Sequence, residues 1–157
     1  MMKYRWIALL LCVFMLTGCA KSGKVEPSKQ FKVKRAQTEI ALGAPAAPIL
    51  EALGAPFGYA ESKSGIYSGV EKTYRFSGLN LRTYQSEDGD RILGMMITDK
   101  SLQTGEGITI GDTADRVREC YGQDAIQDDH CVIRSGAGRM VLMLKDNVVT
   151  AIQYSLV

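Results

Sequence analysis

Residues 40–56 read IALGAPAAPILEALGAP and residues 108–124 read ITIGDTADRVRECYGQD, and the two stretches align without a gap at an offset of 68. Ile40/Ile108, Gly43/Gly111, Ala46/Ala114, Glu51/Glu119 and Gly54/Gly122 are identical, and Leu42/Ile110 and Ile49/Val117 are similar. Each copy has the same physical logic: an apolar stub, a glycine turn, one short helix, and a glycine where the helix must stop. Ala114, Val117, Cys120 and Tyr121 fall on one helical stripe, as do Ala46, Ile49, Ala52 and Leu53 in the first copy. Asp112 and Thr113 supply capping oxygens to the second helix, whereas the first has Ala44 and Pro45 there. Pro48 falls in the first turn, where a missing N–H is tolerated.

Outward from each helix come three strand-like runs punctuated by turn residues. In the first half these are residues 72–76, 79–85 and 91–98; in the second they are 131–134, 139–144 and 148–155. The expected fold class is α+β, with two tandem repeats over residues 37–100 and 101–157. Each repeat is a short helix plus an antiparallel three- to four-stranded β-meander. Units of this size are marginal alone, so the two sheets are expected to pack or join and share a core.

The pattern of a glycine turn, a short helix ending in Tyr-Gly or Leu-Gly, and a meander resembles the repeats of the β-lactamase inhibitor protein and of the SmpA/OmlA (BamE-like) envelope lipoproteins. The stretch 111–122, GDTADRVRECYG, carries the resemblance, which spans about 120 residues. It implies a non-enzymatic surface for binding or assembling other proteins, with no fixed target.

Lys3 and Arg5 precede an apolar run from Trp6 to Leu16, which as helix measures about 16 Å, half a bilayer core. Residues 1–18 therefore read as a signal peptide. Leu16-Thr17-Gly18-Cys19 resembles the lipobox of bacterial lipoproteins, which makes Cys19 the lipidated residue and the membrane its first partner. Residues 19–36 read as a basic flexible linker: between Lys21 and Arg35, six cations face Glu26 alone. The expected location is a bacterial cell membrane or outer membrane, on the extracytoplasmic side.

The overall charge of +2 excludes the strongly basic balance of a nucleic-acid binder, and no nucleic acid is expected. Residues 36–157 hold 11 Lys and Arg against 16 Asp and Glu, a net of −5. Cys120 and Cys131, at a helix end and a strand start, would oxidise to a disulfide in an exported protein if the helix packs on the strand. The resemblance implies the same, since inhibitor-protein relatives tie helix to sheet in a similar way. Asp128-Asp129-His130 reads as a solvated loop, because three consecutive residues rarely converge on one ion. Glu87-Asp88-Gly89-Asp90 reads as a hairpin turn lacking the remaining oxygens of a calcium loop. No metal, cofactor or catalytic residue is expected, and the chain is read as not an enzyme.

The strand faces carry the remaining lead. Both faces of residues 92–97 bear apolar side chains, and Val148, Thr150, Ile152 and Tyr154 are expected on the core side. With helices on one face, the other shows Arg75, Arg82, Tyr84, Met96, Val141 and Met143, residue types that interfaces favour. That face is either open or covered by the other repeat. The expected role is a membrane-anchored extracytoplasmic lipoprotein, a binding or envelope-assembly module holding another envelope protein. The alternative is a small envelope enzyme or ligand-binding lipoprotein whose site the sequence does not display.

Overall fold

Residues 31–157 are described by a computed structural model. The signal peptide, Cys19 and most of the linker lie outside the described residues. The chain opens with a hairpin, β1 (Lys32–Arg35) and β2 (Thr38–Ala41), followed by helix α1 (Ala46–Leu53). Four strands come next: β3 (Gly58–Lys63), β4 (Val70–Phe76), β5 (Leu79–Ser86) and β6 (Gly89–Ile97). Helix α2 (Ala114–Tyr121) leads into β7 (Ile126–Gln127), β8 (His130–Ser135), β9 (Gly138–Lys145) and β10 (Val148–Leu156). β3 to β10 form one antiparallel sheet in the order β3-β4-β5-β6-β10-β9-β8-β7.

The expected α+β class of two tandem helix-plus-meander repeats is thereby corrected. The described residues are mostly β: one eight-stranded sheet, a separate two-stranded hairpin, and two helices of eight residues each. Helices of about two turns are too short to form a layer of their own. Backbone pairing of β6 with β10, Ile97 opposite Ile152 and Met95 opposite Tyr154, makes the sheet continuous. A single hydrophobic cluster then runs from Phe31 and Ile40 through Leu81, Met95 and Val117 to Leu142 and Tyr154.

The offset of 68 marks a local device. Gly43 donates its N–H to the Ile92 carbonyl at 2.8 Å and Ile92 donates back to Ala44 at 2.9 Å. Gly111 and Val149 repeat the exchange, at 2.8 Å to Val149 and 2.9 Å back to Asp112. Both glycines need a positive φ, +74° and +97°, to present the N–H to the strand. The helix that follows each turn puts its first alanine, Ala46 or Ala114, into the core, with Ile49 or Val117 one turn on.

Two further expectations change. Residues 31–35 are not linker: Phe31 is fully buried and meets the Tyr154 ring edge-on at 6.1 Å, and Val33 is buried beside it. The alternation Phe31-x-Val33 is a strand signal that the intervening lysines disguise. In β10 the expected facing reverses at one end, because a register shift between Val149 and Ala151 turns Val149 into the core and leaves Thr150 exposed. Ile152 and Tyr154 face inward as expected. A second register irregularity in β6, opposite Arg82/Thr83, puts Ile92 opposite Thr83 and Gly94 opposite Arg82.

Candidate functional site

One face of the sheet carries the core and both helices; the other carries two transverse rows of side chains. Residues directly opposite in antiparallel strands share a face, so the rows follow from the registers. The first runs Val132, Val141, Gln153, Met96, Asn80, Arg75. The second runs Arg134, Arg139, Ser155, Gly94, Arg82, Thr73. Tyr84 and Met143 continue the same face two residues along β5 and β9, Met143 lying opposite His130.

All six residues expected on this face, Arg75, Arg82, Tyr84, Met96, Val141 and Met143, lie on it. Their exposure differs. Arg75 and Arg82 are exposed, Tyr84, Met96 and Met143 are half-buried, and Val141 is buried. Residues 64–69, between β3 and β4, fold over one corner: Tyr67 stacks on Tyr84 with ring centroids 4.2 Å apart and 21° between planes. Ser64 holds the loop, accepting from the Tyr67 N–H at 2.9 Å and donating to Glu71 at 2.8 Å. Glu71 is also bonded by the Arg82 guanidinium. Burial alone would push the Glu71 carboxyl up, but the bonds from Arg82 and Ser64 outweigh it and hold the carboxyl below its usual range. Tyr84 and Arg82 are therefore engaged within the molecule, while Arg75, Met96 and Met143 are not so held.

At the seam of β6 and β10 the face sinks into a depression of about 190 Å³ lined by Thr73, Asn80, Arg82, Met96 and Gln153. Gly94 forms its floor. A Cβ there would stand 2.7 Å from the Tyr154 carbonyl oxygen, so the close approach of the two strands requires glycine.

Elsewhere the two acidic stretches, residues 128–130 and 87–90, are taken up in turns. Asp128 and Asp129 both have positive φ, +47° and +62°, and form the two-residue turn between β7 and β8. His130 bonds the Asp128 carbonyl through Nδ1 at 2.7 Å, tying the ring to its own turn. The depression beside it, about 830 Å³ and lined by Tyr121, Gln123, Asp124, Gln127 and Arg134, is an open groove. Glu87 and Asp88 make the β5–β6 turn closed by Gly89 at φ +108°, and Asp90 reaches Lys72 at 2.7 Å. Among the described residues no three or more metal-ligating side chains gather. Cys120 and Cys131 are both free thiols in this structure, against the same hydrophobic cluster. Cys131 is fully buried, which pushes its thiol pKa up.

Sequence reasoning missed Arg139, Arg134 and Val132 on this face. Arg139 was within reach, two residues from Val141 on a strand whose period was already assigned. Arg134 and Val132 needed the pairing of β8 with β9, and the Tyr67 cover needed a loop path that no periodicity encodes. Compared with known proteins, the chain matches no family model, no curated protein and no solved structure.

Proposed function

We propose that this protein is a lipid-anchored extracytoplasmic lipoprotein whose open sheet face binds another envelope protein without catalysis. The observation that carries it is the uncovered face itself, where Arg75, Met96, Val132 and Met143 stand together opposite the core. The resemblance to SmpA/OmlA-like lipoproteins and the Cys19 motif support the location. No helix among the described residues is long and apolar enough to cross a membrane; in this reading the lipid on Cys19 is the anchor.

Two measurements test the two halves of the proposal. Cys19→Ser should move the protein from the membrane to the soluble fraction; retention after a high-salt wash would overturn lipid anchoring. A photo-crosslinking side chain at Met96 or Val132 should capture one envelope protein in cells, whereas the same probe at Arg116 on the helix side should not. Equal capture from both sides, or none from the sheet, would overturn the binding role.

A further inference from the structure

We infer that the partner is an acidic protein segment, docked through carboxylates onto a row of arginines across the open face; this rests on the binding role proposed above. Residues 36–157 carry a net of −5, yet the open face has the opposite sign. Arg75, Arg82, Arg134 and Arg139 lie there by register, and among the strand residues on that face Glu71 is the one carboxylate. Glu71 is spent on Arg82, and no described carboxylate lies within ion-pair distance of Arg75, Arg134 or Arg139.

The arginines are also placed at a cost to the fold. Arg134 and Arg139 stand directly opposite each other on β8 and β9, a like-charge cross-strand pair that repels. Nε of Arg139 is buried with no hydrogen-bond partner. An anion arriving at this pair would relieve the like-charge repulsion. Across the sheet, Ser155 and Gly94 leave a low track between Arg139 and Arg82, three strand spacings or about 14 Å long. An extended segment spans that distance in about four residues, so a carboxylate at i on Arg139 would set the one at i+4 beside Arg82, whose Nη2 bonds Glu71 and whose other N–H groups would receive it.

The chemistry favours a protein over a phosphate polymer. Guanidinium forks match carboxylates in a bidentate way, and the neighbouring row offers Val132 and Met96, which apolar side chains would cover and a polyphosphate would not. A second copy docking its own acidic β5–β6 turn, and a polyanion, are the competing occupants.

The test uses the full chain with a fluorescent peptide alternating glutamate and leucine, its glutamine analogue, and polyphosphate. The glutamate peptide should bind at least tenfold tighter than the glutamine one, and affinity should fall with salt. Arg134→Gln with Arg139→Gln should weaken binding about tenfold while leaving the melting temperature unchanged or raised, as relief of like-charge repulsion requires. Arg116→Gln with Arg118→Gln, on helix α2, should change nothing. Equal binding of both peptides, or equal loss from the helix pair, would overturn the inference. Tighter binding of polyphosphate, or salt-sensitive self-association of the protein alone, would reassign the face to a polyanion or to a second copy. If peptide binding fails while Met96 still cross-links a protein, the binding role stands and the acidic partner falls; the reverse result separates them the other way.

Discussion

Glu71 shows how one residue ties a loop, a strand and the site together. Its carboxylate is nearly buried, bonded by Ser64 and Arg82, and its removal frees both the 64–69 loop and the Arg82 guanidinium. Glu71→Gln is expected to cost about 2 kcal/mol at neutral pH, read by denaturant unfolding. The folded pKa is depressed, so this stabilisation is present above the ordinary carboxylate range and is lost as pH falls through the folded value. The difference between wild type and variant should therefore shrink below about pH 4. Gly94→Ala should cost about 2 kcal/mol, because its Cβ collides with backbone rather than a yielding side chain. At Cys131, full burial and a raised thiol pKa predict resistance to alkylation in the native state while half-buried Cys120 labels first. Protection of both, with a mass lower by two hydrogens, would instead report a Cys120–Cys131 disulfide.

The two helices have the same length and opposite N-terminal chemistry. Thr113 caps α2, its hydroxyl accepting from the Arg116 N–H at 3.3 Å, while Pro45 precedes α1 with no side-chain cap. Thr113→Ala should cost about 1 kcal/mol in thermal or chemical unfolding, and Pro45→Ser should cost nothing and add a cap. Strands show the other side of the same logic. Residues 79–86 alternate so cleanly that β5 was legible, whereas the register shift near Val149 inverted the facing of Val148 and Thr150. A bulge adds one residue to the count, and period-two reading carries that error along the strand until pairing corrects it.

At the scale of the molecule, the sheet has unequal edges. β7 contributes two residues to one edge, while β3 exposes five of its six residues at the other. The hairpin β1–β2 closes the core from the N-terminal side, with Phe31 against Tyr154 and close above Gly138. Phe31→Ala should cost roughly 3 to 5 kcal/mol, the range for emptying a buried aromatic site, measured by equilibrium unfolding. A cost under 1 kcal/mol would mean that the hairpin is an accessory to the fold rather than part of its core.

The sequence by itself determined the two glycine-led turns with their helices, six of the ten described strands, and which side chains of β4, β5, β6 and β9 share a face. Those signals are local: a positive φ, a cap, or a period of 3.6 or 2 needs no distant partner. Only the tertiary structure decided that β6 meets β10 in one continuous sheet, that Tyr67 lies over Tyr84, that Phe31 completes the core, and that Arg134 faces Arg139. Each of these joins residues far apart in the chain or across strands through pairing and burial, and the energy of such contacts depends on register and bulges that appear only when the whole sheet is assembled.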